Sequence, residues 1–237
     1  MNTPLKAICA TLLLSALPVA RAQSSLGLFT DHGDVGTVQK TGTAAYDPAT
    51  KTYSLAASGA NMWFNTDAFQ FAWKKVSGDV SIAADIAFVG ESKQGHRKAC
   101  LLIRQDLDPG SAYVDVARHG DGLTSLQFRA AAGGATKEIQ SDVVAPTRVR
   151  LDKIGNVVYL SVAGPDGVLR PSGASFPLAF KDPFYIGLGV SAHDDNAYET
   201  AQFSDVKIGS AAAEAALPRP GLRIVTLPSG DRRVADQ

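Results

Sequence analysis

Six polar side chains share one parity of residues 111–130, SAYVDVARHGDGLTSLQFRA: Tyr113, Asp115, His119, Ser125, Gln127 and Arg129. Val114, Val116, Leu126 and Phe128 hold the other parity, with Arg118 and Thr124 nearest the centre. Side chains alternate across a strand, so the pattern predicts two strands with one apolar face and one chemically equipped face. That palette fits two chemistries. His119 with Asp115 two turns of the pleat earlier can move protons, although a histidine bonded to a carboxylate is more often structural. Asp115, Gln127 and Arg129 can make the multiple hydrogen bonds that hold a sugar, with Tyr113 as a ring to stack on. A plainly solvated sheet face is the alternative, but such faces carry Lys, Glu and Thr rather than this set.

The faces also predict the turn. A two-residue Asp121-Gly122 loop would pair Asp115 with Phe128 and mix polar with apolar. A three-residue loop, Gly120-Asp121-Gly122, pairs Asp115 with Gln127 and Tyr113 with Arg129, with Gly122 left-handed. Neighbouring stretches offer further ligand contacts: Lys98, Arg104, and Trp63 or Trp73 as stacking surfaces.

The elements that must position these groups are short strands. Residues 79–88 are the cleanest, with Val80, Ile82, Ala84, Ile86 and Phe88 on one parity. Residues 99–105, 136–139, 147–151, 157–162, 175–180, 185–191 and 201–208 continue the series between turn signals. Phe69, Phe71 and Trp73 form an aromatic ladder expected in a sandwich core. Such strands without a long helical period indicate an all-β, two-sheet antiparallel sandwich. Residues 31–36, DHGDVG, read as a turn whose side chains bond their own backbone. Their oxygens also suit a structural calcium, although the spacing matches no EF-hand loop. No other cofactor is indicated.

Residues 1–22 have the layout of a secretory leader: Lys6, an apolar run over 7–17, and Ala20-Arg21-Ala22 before Gln23. An exported protein, periplasmic or extracellular, is expected, with no membrane span. Removing Lys6 and Arg21 from the 23 basic residues leaves 21 against 23 acidic, a formal charge of −2. That balance argues against nucleic acid as a partner. Cys100 then stands alone and alternates with Leu102, which predicts a buried small hydrophobe. The expected organisation is a leader (1–22), a sandwich (23–210), and a Pro/Ala-rich linker with an extra hairpin or the stub of another module (211–237). No oligomeric state is specified by the sequence.

Several strings resemble an uncharacterised bacterial secreted family of the concanavalin A-like lectin/glucanase superfamily, the laminin G-like jelly rolls. They are Asn61-Met62-Trp63-Phe64, Trp73 with Gly78-Asp79, His96-Arg97-Lys98, Ile103-Arg104-Gln105 and residues 119–127, HGDGLTSLQ. The resemblance implies a two-sheet jelly roll over residues 26–208. Some relatives carry a TolB-like propeller after this domain, and residues 222–234 resemble the start of a blade. The resemblance implies no reaction, because folds host many functions.

Among reactions, a retaining glucanase of this superfamily would need a Glu-x-Asp-x-x-Glu strand. Glu91, Glu138, Glu199 and Glu214 are the glutamates, and none sits in that pattern. Asp85, Asp115 and Asp205 have no acidic partner spaced along the chain. No G-x-S-x-G elbow, H-E-x-x-H or paired-cysteine site is present. Jelly-roll polysaccharide lyases do use Tyr, His, Gln and Arg, with Arg or Gln neutralising a uronate. The expected function is an exported glycan-binding or cell-envelope interaction domain without an evident catalytic pair. The alternatives are a polysaccharide lyase or glycoside hydrolase on the polar face, and a structural protein–protein module.

Overall fold

The computed structural model describes residues 26–217 and 219–236, so the predicted leader over 1–22 lies outside the described residues. The chain forms β1 (Asp31–Val35), β2 (Thr43–Asp47), β3 (Thr52–Ala57), β4 (Met62–Trp63), β5 (Thr66–Asp67), β6 (Phe69–Val76), β7 (Val80–Val89), β8 (Lys98–Arg104) and β9 (Tyr113–His119). It continues with β10 (Thr124–Arg129), β11 (Thr136–Gln140), β12 (Arg148–Ile154), β13 (Val157–Ala163), β14 (Leu169–Pro177), β15 (Phe184–Ser191), β16 (Glu199–Gly209), β17 (Leu222–Thr226) and β18 (Arg232–Asp236). A single 3-10 turn, Ala213–Ala216, falls in the Ala-rich stretch.

Two large sheets result. One has the order β1-β6-β15-β8-β9-β10-β11-β18-β17, the other β14-β13-β12-β7-β16-β3-β2, and β4-β5 form a small separate hairpin. The chain is an all-β, two-sheet jelly-roll sandwich. Its core lies between the sheets, where Val80, Ile82, Ala84 and Ile86 of β7 join Leu101, Ile103, Val114, Val116, Leu126 and Phe128. Each large aliphatic side chain buried there contributes about 1.5–3 kcal/mol.

The β9–β10 hairpin has the expected register, with Asp115 opposite Gln127 and Tyr113 opposite Arg129. Its loop closes through a bond from the His119 N–H to the Leu123 carbonyl, 2.8 Å. Gly122 sits at φ +94°, a conformation that costs a side-chain-bearing residue dearly. Cys100 is fully buried, as its alternation predicts.

Two expectations fail. Residues 31–35 are not a turn but strand β1, paired with β6 from Asp31↔Trp73 to Val35↔Phe69. Both Asp34 carboxylate oxygens accept the Gly42 N–H at 3.0 Å, so the calcium loop has no geometry there. The aromatic ladder is not in the sandwich core. Phe69 and Phe71 pack on the opposite face of the nine-stranded sheet with Val35, Met62, Cys100, Leu102, Tyr113 and Ala117, and Trp73 leans on them. The reason lies in β15, where Ile186, Leu188 and Val190 take the core face and leave Gly187 and Gly189 outward. Register sets Gly187 beside Trp73 and Gly189 beside Phe71. A Cβ on Gly187 would collide with the Ala72 carbonyl oxygen of β6 and lie 2.9 Å from the Phe71 ring, and one on Gly189 would lie 3.3 Å from the Phe69 ring, so these glycines allow both the close approach of β6 and the aromatic packing.

At the other edge, β17 and β18 form the hairpin anticipated for the C-terminal segment. β18 runs parallel to β11 over Ile139↔Arg232 and Gln140↔Arg233.

Candidate functional site

The outer face of the nine-stranded sheet is built in rows, because each register pair brings same-face residues side by side. One row is Lys98–His119, and the next is Cys100–Ala117–Ser125–Gln140. Then come Leu102–Asp115–Gln127–Glu138 and Arg104–Tyr113–Arg129–Thr136. The hairpin of β4 and β5 crosses above the last row as a flap.

That flap takes the two arginines out of reach. Asp67 is 2% exposed and lies between them. Its Oδ2 accepts from Arg104 Nη1 at 3.0 Å and from Arg129 Nη1 at 2.8 Å, and its Oδ1 accepts from Arg129 Nη2 at 2.7 Å. Arg129 also donates to the carbonyls of Trp63, Pro109, Ser111 and Gly134. The Tyr113 ring lies beneath the two guanidiniums, 5.0 Å from that of Arg129, and its hydroxyl reaches Thr136 at 3.3 Å. Burial pushes its phenol well above the usual range. Arg104, Arg129 and Tyr113 are all fully buried, so the expectation that they meet a ligand gives way to a structural role. The cause is Asp67, which local pattern marks only as a strand start.

The remaining rows face a cleft of about 850 Å³. Trp63, Phe64 and Asn61 of the flap segment form one wall, and Lys98, His119, Gln127 and Glu138 line the sheet side. His96, His193 and Asp195 come from loops at the rim. Phe64 is 69% exposed and has φ +49°, a strained conformation for a bulky residue, held by the bond from the Thr136 N–H to its carbonyl. Lys98, only 3% exposed, donates to Asn61 Oδ1 at 2.7 Å and to the Met62 carbonyl at 3.0 Å, and lies 5.2 Å from the Trp63 ring centre. Trp73 lies away from this cleft, against Phe71 and Tyr185.

Under the cleft is an unusual floor. Asp115, Ser125 and Gln127 are fully buried. Among the described residues, Ser125 Oγ and Gln127 Oε1 have no hydrogen-bond partner, and the Asp115 carboxyl has none of good geometry, with only the Cys100 thiol and the Gln127 backbone N–H close by. Leaving such groups unmatched costs about 1–3 kcal/mol each. The other end of Gln127 is engaged, its Nε2 donating to Glu138 Oε2 at 3.3 Å, while Gln140 donates to Glu138 Oε1 at 2.7 Å.

Burial pushes the Asp115 carboxyl up to about 8, against the downward pull of Lys98, so it is a neutral acid at pH 7. The same desolvation pulls Lys98 below the usual amine range, with Asp115 and Glu138 opposing it. His119 is held at about 3, first by burial and then by Lys98. Its Nδ1 faces the Leu123 carbonyl at 3.0 Å, which can only accept, so Nδ1 carries the proton and Nε2 keeps a free lone pair. His193 is likewise lowered by burial and sits at φ +56°. The rings of His119 and His193 lie 5.9 and 5.3 Å from that of His96. Among the described residues, no three His, Cys, Asp or Glu side chains converge as a metal-ligand set.

The structure therefore groups Lys98, His119, Gln127 and Trp63 around one cleft, with Asp115 and Ser125 beneath it. It adds Glu138, Asn61, Phe64, His96, His193 and Asp195. Glu138 was legible in principle, since one more register step from Gln127 reaches it. The loop residues carry no comparable signal.

No protein-family profile and no curated protein sequence matches the chain. Solved structures do. A functionally unknown protein from Saccharomyces cerevisiae is similar at TM-score 0.54 and 14% identity, over 75% of this chain and 100% of that one. The Lotus tetragonolobus seed lectin follows at 0.47 and 6%, over 71% and 90%. Alginate lyase A1-II′, a member of polysaccharide lyase family-7, has 0.46 and 10%, over 71% and 83%. At these identities the likeness is one of fold alone, the two-sheet jelly roll that the strand order describes.

Proposed function

We propose that this jelly roll binds glycan, and that the cleft over Gln127 and Ser125 is the site. The observation that carries the reading is the unmatched polar floor under an aromatic wall. Gln127 Oε1, on the wall of the cleft, can accept, and Asp115 as a neutral acid and Ser125 lie behind it. Sugar hydroxyls can donate to that oxygen and accept from the donors around it, so they are the ligand groups that suit such a site. Trp63 and the exposed Phe64 offer flat apolar faces for the C–H side of a pyranose ring. With the leader expected over residues 1–22, the site would act on envelope or extracellular polysaccharide.

A panel of polysaccharides tested by thermal shift and calorimetry checks this. A binding glycan should raise the melting temperature, and Gln127→Ala or Trp63→Ala should weaken it at least tenfold. Binding that survives both substitutions would move the site elsewhere.

One observation favours a second reading, hydrolysis. Asp115 and Glu138 share a row on either side of Gln127, their backbones two strand spacings or roughly 9.6 Å apart. Inverting glycosidases place their two carboxyl groups about 6.5–9.5 Å apart, a range these side chains would enter only by leaning towards each other, and burial keeps Asp115 in the acid form. Release of reducing ends from a bound neutral glycan, lost in Asp115→Asn, would establish it. The lyase alternative lacks support of this kind, because the arginines that would neutralise a uronate are tied to Asp67.

A further inference from the structure

We infer that the cleft selects neutral, hydroxyl-bearing glycan chains and rejects uronates. This rests on the glycan reading above and deepens it by naming the substrate class. It follows from an inventory of charge around the site.

The arginines near the cleft are held in ion pairs, and Lys98 is held by neutral acceptors. Arg104 and Arg129 share Asp67, with all three side chains fully buried. Arg97 is bound to Glu199 at 2.6 Å, and both side chains are about nine-tenths buried. Lys98 is ligated by Asn61 and the Met62 carbonyl, and lies among the carboxyl groups of Asp115, Glu138 and Asp67. His119 is neutral at physiological pH, with its free nitrogen an acceptor.

The anions are the opposite case. Glu138 and Asp195 line the cleft, and neither is in an ion pair among the described residues. A uronate brought into this space would lose hydration and meet two carboxylates against a single lysine, Lys98, two of whose three donors are already committed. Transfer of an unpaired carboxylate from water into such a site is strongly unfavourable. A neutral sugar hydroxyl has no such penalty, and it supplies the donor that Gln127 Oε1, on the wall of the cleft, lacks. The floor calls for hydroxyl groups, and the charge inventory is what disfavours a uronate.

The test uses the full chain in calorimetric titrations with oligosaccharides of matched length. One series is neutral (cello-, xylo-, manno- and laminari-oligosaccharides), and the other is oligo-alginate and oligogalacturonate. The expected result is binding of at least one neutral series, with uronates at least tenfold weaker at 150 mM salt (an assay condition). Asp195→Asn, and separately Glu138→Gln, should narrow that gap. Glu138→Gln keeps an oxygen for only one of the Gln127 and Gln140 donors and turns its NH2 to the other, whereas Asp195→Asn lies on a rim loop, so the latter tests charge without disturbing the fold. Uronates binding as tightly as the neutral series, or a gap unchanged in both variants, overturns the selectivity while leaving glycan binding intact. Binding by neither series overturns the glycan reading, and this inference with it.

Discussion

Asp115 is the residue whose chemistry departs furthest from its type. An unfolded chain releases this proton near the usual 3.8, whereas the folded chain keeps it to about 8. Between those values the native state holds a proton that the unfolded state does not, so this group makes stability fall as pH rises through that window. Asp115→Asn keeps the shape and removes the titration. The variant should be more stable than the parent at pH 8, on the order of 1–4 kcal/mol, with the difference shrinking towards pH 4. Urea denaturation at pH 4, 6 and 8 measures it, and equal midpoints at pH 8 would refute the assignment. Alternation and register put Asp115 beside Gln127 from sequence alone. That Lys98 makes no ion pair with it was not legible, because Lys98 turns away to Asn61 and Met62 on the flap.

The flap is the element that divides the polar face in two. Over the Arg104–Arg129 row it seals the sheet, and over the Gln127 side it leaves a cleft. Its anchor is Asp67, and removing one member of a buried ion network costs about 3–5 kcal/mol because the partner charges stay buried. Asp67→Asn should therefore lower stability by that order, and amide exchange across residues 61–68 should accelerate relative to β9 and β10. Exchange in the flap that stays at the parental rate would show that other contacts hold it. A row with two arginines in register calls for a counter-charge, so the need was visible in the sequence. The supplier was not, since Asp67 lies 37 residues from Arg104 and 62 from Arg129. The aromatic ladder was misplaced for a related reason. Parity says which residues share a face, but only pairing with the glycines of β15 says which face it is.

On the scale of the whole molecule, the sandwich core draws almost entirely on strands β3 to β16, and the terminal hairpin adds a small share. Val234 is 1% exposed and Leu222 packs beside it, near Gly173 and Ala174 of β14. Truncation after Leu217 should leave a cooperatively folding sandwich, because its sheets and core remain. It should lose about 1.5–3 kcal/mol for the Val234 contact and more for Leu222. It would also expose β11 as an edge, where unpaired backbone groups invite association between copies. Denaturation midpoints and size-exclusion profiles would report both, and an unfolded truncation product would mean that the hairpin is integral to the fold.

The sequence by itself determined the all-β sandwich, the strands of its core, the three-residue turn, and the order of polar groups along β9 and β10. These depend on alternation and turn chemistry, which act between neighbours along the chain. Tertiary structure alone decided which polar groups meet a ligand. A flap and rim loops remote in sequence fold over the sheet, so Asp67 neutralises one row while Trp63, Phe64, His96 and His193 enclose another. Charge compensation and desolvation act through space, and no spacing along the chain encodes them.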